Sequence, residues 1–171
     1  MADKYLSYDR SAGRIKEKEA VTQSSGAGDA YKIVALGSDG KLHSSLLPAG
    51  MMENTINLPA YEDLSAGDFV NIFDDSGTAK VRKADASSNK PAHGYVLSSA
   101  AAGDNVTVHF DGHNTQLTGL TPGTYYFLSD TTPGGVTDTP PSTSGCIAQR
   151  LGVAINSTTI DVEIEDPIEL A

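Results

Sequence analysis

From Ile56 onward, apolar and polar residues alternate with a period of two in short runs bounded by Gly and Asp, the spacing of half-buried antiparallel strands. Phe69, Val70, Ile72 and Phe73 form one run after Ala66-Gly67-Asp68. Asp74-Asp75-Ser76-Gly77 turns it into a second, Ala79 to Ala84, which predicts a hairpin. Ala92 to Leu97, the turn Ala102-Gly103-Asp104 and the alternating Val106, Val108 and Phe110 predict another. Tyr125 to Leu128 follow Leu120-Thr121-Pro122-Gly123, whose Pro-Gly pair suits the centre of a type II turn. Thr131 to Ser144 hold Pro133, Gly134, Gly135, Pro140 and Pro141, so only a short strand near Val136 is expected there. A last hairpin is expected from Cys146 to Ile155 and from Thr159 to Ile164, turned by Asn156 to Thr158.

Residues 1 to 50 lack this texture, because their apolar positions keep neither helical nor strand spacing for long. Arg14, Lys16, Glu17, Lys18 and Glu19 allow i,i+3 and i,i+4 pairing, which would support a short helix across Ala12 to Val21, marginal on its own. Gln23 to Asp29 reads as a flexible link, Lys32 to Leu36 as a short strand in need of a partner, and Gly37-Ser38-Asp39-Gly40 as a turn. The expected fold class is all-β: a compact antiparallel β-barrel or sandwich body with an extended N-terminal arm. The arm takes 1–50 and the body 51–171, the latter divisible into β subdomains at about 51–112 and 113–171.

Composition supports strands joined by turns, with 17 Gly, 8 Pro and no Trp in 171 residues, and makes helix scarce. Two internal echoes strengthen the picture. Ala66-Gly67-Asp68-Phe69-Val70 returns as Ala102-Gly103-Asp104-Asn105-Val106, and Gly94-Tyr95-Val96-Leu97 as Gly152-Val153-Ala154-Ile155. Turn chemistry alone can produce such short echoes, and a solenoid would need a longer unit repeated several times.

Charge divides the chain more sharply. Residues 1–50 carry seven Lys or Arg against six Asp or Glu, and residues 51–171 carry five against sixteen, giving +1 and −11. An acidic body repels phosphate backbones, so no nucleic-acid partner is expected. No stretch has the roughly 18 continuous apolar residues of a membrane span, and MADKYLSYDR lacks the apolar centre of a secretory signal, so a soluble protein with no membrane partner is expected.

Candidate chemistry is sparse. The sequence has no G-x-S-x-G, P-loop, C-x-x-C or H-E-x-x-H pattern, and the expectation is a protein that is not an enzyme, with no catalytic residue, cofactor or metal assigned. His109, Asp111 and His113 would share one face if a strand ran unbroken through Gly112, presenting two imidazoles and a carboxylate to Zn²⁺. The glycine and the want of a fourth group favour an exposed strand end instead. Asp74 and Asp75 could contribute to a Ca²⁺ site but lack the loop spacing and read better as a turn. Cys146, the one cysteine, lies in an apolar run and should pack as a small hydrophobe.

The string LTGLTPGTYYFLSDTTPGGVTDTPPSTSGCIAQRLGVAINSTTIDVEIE, with its Gln-Arg-x-Gly-x-Ala ending, resembles a module of virion structural proteins of tailed bacteriophages. KIVALGSDGKLHSSLLP resembles a phage segment that precedes fibre or surface domains. SAGDFVNIFDDSG and AHGYVLSSAAAGDNVTVHFDG are similar to small β-barrel capsid decoration (head cement) proteins. Together these cover about three-fifths of the chain.

The resemblance implies a homotrimer on the virion surface, made in the bacterial host cytoplasm, that binds the major capsid protein and stabilises the head. A trimeric tail or head fibre component that attaches to the host is the alternative, and a carbohydrate-active domain using acids such as Asp111 and Asp161 is a third reading. No functional residue carries over from the family. The expected partner-binding anchors are instead the apolar residues of the arm that lack a core of their own: Tyr5, Leu6, Tyr8, Ile15, Ile33, Leu36, Leu46 and Leu47.

Overall fold

The computed structural model describes residues 3–47 and 54–171, and the chain divides into two compact units between Glu53 and Asn54. In the first unit, β1 (Lys4–Asp9) and β2 (Arg14–Glu19) pair antiparallel from Lys4↔Glu19 to Asp9↔Arg14. The helix expected over Ala12 to Val21 is therefore a turn and a strand. Its cause is Asp9, whose carboxylate accepts from the N–H groups of Ser11 (2.9 Å) and Ala12 (3.1 Å) and from the Ser11 hydroxyl (2.6 Å), folding the chain back at once. The charges that could pair along a helix pair across the ribbon instead, Lys16 with Asp9 at 2.6 Å and Lys4 with Glu17.

Lys32 to Leu36, expected as a strand, is reduced to one parallel bridge, Val21↔Val34, with the Val21 N–H donating to Ile33 O and the Ala35 N–H to Val21 O, both 2.9 Å. Residues 27–29, expected within a flexible link, form a single 3-10 turn, and 44–46 form another.

The second unit is all-β. Its strands are β3 (Thr55–Pro59), β4 (Phe69–Asp75), β5 (Thr78–Lys83), β6 (Gly94–Val96), β7 (Asn105–His109), β8 (Gly112–Asn114) and β9 (Tyr125–Leu128). They continue with β10 (Val136–Thr137), β11 (Ile147–Ala148), β12 (Arg150–Asn156), β13 (Thr159–Val162) and β14 (Ile168–Glu169). One sheet runs β3-β7-β6-β4-β5, a second β10-β9-β12-β13-β8, and β11 pairs with β14 alone.

Beyond β3, Ala60 bridges Val81 of β5, and the Tyr61 N–H donates to Val81 O at 2.7 Å, so the first sheet closes on itself as a small barrel. Leu58, Leu64, Val70, Val81, Val96, Val106 and Val108 fill it. Phe69 and Tyr95 point out of that barrel into a second core with Tyr126, Leu128, Ile147, Leu151 and Ile160. This second core thus draws on both sides of residue 112. Each such side chain, fully withdrawn from water, stabilises by about 1.5–3 kcal/mol.

The β4–β5 hairpin turns at Ser76 and Gly77, φ 57° and 90°, the two left-handed positions of a two-residue hairpin loop. β6 and β7 pair as the expected second hairpin, and β12 and β13 as the last, although the run from Cys146 splits into β11 and β12. The first echo is one turn used twice: Asp68 N–H donates to Ser65 O (3.1 Å) and Asp104 N–H to Ala101 O (3.0 Å), with Gly67 and Gly103 at φ 95° and 92°. The Pro-Gly pair at 122–123 makes the same closure, from Thr124 N–H to Thr121 O at 3.2 Å.

Candidate interaction surface

Strand alternation sorts the side chains of the β1–β2 ribbon onto two faces. Leu6, Tyr8 and Ile15 share one face, Tyr8 directly opposite Ile15, and are 73%, 61% and 65% exposed. Glu17 and Glu19 border them on the same face. Tyr5 lies on the other face, half-buried, where its hydroxyl accepts from the Ile33 N–H at 3.3 Å.

Of the eight expected anchors, the ribbon thus gathers three. Ile33 and Leu36 are exposed farther along the chain, and Leu46 and Leu47 are half-buried around a 3-10 turn. Tyr31, Val34 and Leu42, absent from that set, are exposed too. Their signal in the sequence was the same sparse apolarity that marked the others.

A ribbon of two strands with an open apolar face is marginal in water without a third strand or a covering surface. Electrostatics hold its turn instead. Lys16, then the Ser11 hydroxyl and the backbone N–H of Ala12, keep the Asp9 carboxyl well below the usual carboxylate range.

The second unit has a cleft of about 410 Å³ lined by Pro91, His93, Phe110, Gln149 and Pro167. Glu165 and Asp166 also line it, while its two other polar side chains, Gln149 and His93, are engaged by backbone. Gln149 accepts from the Ala92 N–H at 2.7 Å and donates to the carbonyls of Ala92 (3.0 Å) and Glu165 (2.9 Å). His93 Nδ1 accepts from the Ile72 N–H at 3.0 Å, leaving its proton on Nε2.

No family model matches the chain, and no curated protein matches it. The residues themselves carry the remaining tests. His109, Asp111 and His113 do not share a strand face: β7 ends at His109, Gly112 takes φ 90°, and β8 opens in the other sheet. His109 stacks on Tyr95 at 5.4 Å between ring centres, the Asp111 carbonyl accepts from the Tyr95 hydroxyl at 2.8 Å, and His113 faces Asp161 at 3.4 Å.

Among the described residues no three His, Cys, Asp or Glu side chains converge as a metal site. Asp74 accepts from the Gly77 N–H at 2.9 Å and Asp75 pairs with Lys80 at 2.6 Å, both within the hairpin. Cys146 is buried as a free thiol. Among the described residues no helix is long and apolar enough to cross a membrane.

Proposed function

We propose that this chain is a capsid decoration protein of a tailed bacteriophage, binding the outer surface of the major capsid protein lattice and stabilising the head. The observation that carries the reading is the exposed Leu6–Tyr8–Ile15 face on a two-stranded ribbon, in a unit separate from the closed β body. Such a ribbon gains most by laying its apolar face, or adding its strand edges, onto a partner's sheet. A shell under outward pressure from packed DNA supplies a reason for the arrangement. A subunit attached across neighbouring capsomers adds buried area at the seams that would open first. The phage-like strings support the same assignment.

The test is co-sedimentation with shells stripped of accessory proteins. Binding at a fixed ratio to the major capsid protein is expected. The triple variant Leu6→Ser, Tyr8→Ser, Ile15→Ser should keep the thermal unfolding of the body and lose binding by about a hundredfold, since buried aromatic and aliphatic anchors dominate interface energy. Binding to host cells and not to shells would instead assign the chain to a fibre.

A further inference from the structure

The second unit is acidic, yet three of the five cations in residues 51–171, Lys80, Arg82 and Lys83, stand on β5. Lys80 is paired with Asp75 at 2.6 Å, Lys83 with Asp68 at 3.6 Å, and Arg150, on β12, with Glu163 at 3.4 Å and with Glu165. Arg82 has no carboxylate partner among the described residues.

Its position is nevertheless fixed. The guanidinium lies 4.2 Å over the Phe73 ring, and its Nε donates to Asn71 Oδ1 at 3.0 Å, while the Asn71 amide donates to Pro91 O at 2.8 Å. Tyr61, 55% exposed, packs edge-on against Phe73 at 5.2 Å. The result is a partly exposed aromatic strip, Tyr61 open and Phe73 half-buried, ending in an oriented, half-buried guanidinium whose terminal N–H groups are free to fork a carboxylate.

The same unit carries the complement. From Asp161 to Glu169 the chain holds Asp161, Glu163, Glu165, Asp166 and Glu169, and on β14 Ile168 is 66% exposed beside Glu169. Glu163 and Glu165 face Arg150 of their own chain, whereas Glu169 has no cation partner among the described residues. An apolar side chain next to a free carboxylate matches, in both charge and polarity, an aromatic strip next to a free guanidinium.

We propose that the Tyr61–Phe73–Arg82 strip of one copy receives the Ile168–Glu169 edge of a second copy. Arg82 forks the Glu169 carboxylate, and Ile168 covers the two rings. The contact joins two different patches, so each copy offers one of each, and the assembly is a closed ring where the rotation between copies permits closure.

Sedimentation equilibrium of the full chain, without shells, tests this separately from capsid binding. Self-association is expected. Arg82→Glu and Glu169→Arg should each weaken it by about tenfold or more, and the double variant should regain most of the loss, since like charges replace and then restore the pair. Circular dichroism checks the fold of each variant. Should Arg82→Glu fail to fold, Glu169→Arg and the charge-keeping Arg82→Lys, which loses the fork, carry the comparison. A monomer at all concentrations, association indifferent to both single changes, or a double variant no better than either would overturn the proposal.

Discussion

Gln149 and Ala92 exchange two hydrogen bonds across 57 residues of sequence: the Ala92 N–H donates to Oε1 at 2.7 Å, and Nε2 donates back to the Ala92 carbonyl at 3.0 Å. A side-chain amide here does the work of a neighbouring strand. Gln149 is 2% exposed, so removing it strands buried backbone groups that water cannot reach. Gln149→Leu should destabilise the second unit by about 3 kcal/mol, read as a lower urea midpoint at unchanged slope. Gln149→Glu at neutral pH should cost more, because a carboxylate cannot donate to the Ala92 and Glu165 carbonyls.

A methyl group at Gly152 would lie 2.0 Å from the Asp161 carbonyl oxygen, and one at Gly94 would lie 2.5 Å from that of His109. Close backbone approach is thus the common cause of the second sequence echo. Gly152→Ala should cost upwards of about 3 kcal/mol or prevent folding, since backbone on both sides must yield. Gly103→Ala, at φ 92° with no atom within 4 Å of the added carbon, should cost only about 1–2 kcal/mol from conformational strain. Gly152 also has φ 150°, so the excess loss of thermal stability in Gly152→Ala over Gly103→Ala reads the crowding.

Acid should loosen the second unit in two stages. His93 is an exposed residue, yet partial desolvation of its ring pushes the imidazole below its ordinary value of 6.5. The unfolded chain therefore takes up the proton first, and the contribution of neutral His93, complete above about pH 6.5, is lost as pH falls through the lower folded value. For Asp85, burial pushes the carboxyl up, but the Ser88 and Ser87 hydroxyls and the Ser87 N–H outweigh it and leave it lowered. Its contribution is present above about pH 3.9 and is lost below that. Urea midpoints measured from about pH 8 down to 3 should fall in both windows. His93→Gln, which can still accept from Ile72, should flatten the upper window alone, and Asp85→Asn the lower.

The parts of the fold legible in the sequence are those decided within a few residues. Ser76 and Gly77 specify a hairpin by themselves, and Gly67 and Gly103 each open a strand through a Gly-Asp turn. β1 and β2 were not legible because the spacing that aligns Lys16 and Glu17 with neighbours along a helix also places them across a ribbon, and Asp9 decides between the two by closing the turn. The two-residue alternation from His109 to His113 suggested one face, but Gly112 bends the chain from one sheet into another. Among the expected anchors, Leu6, Tyr8 and Ile15 come together only through that ribbon register, which apolarity alone does not specify. Arg82 stood out even less, since its significance lies in Phe73 and Asn71 beside it.

Closure of the barrel at Tyr61 and Val81 also makes a weakest seam. β4 and β5 are zipped over six residue pairs, whereas the joint from Ala60 and Tyr61 to β5 has a single bridge and one backbone hydrogen bond of 2.7 Å. Fluctuations that open the barrel without unfolding it begin there, exposing the edge of β5 for as long as the seam stays apart. The Tyr61 amide is accordingly the reporter of that breathing, exchanging with solvent deuterium faster than amides bonded between β4 and β5.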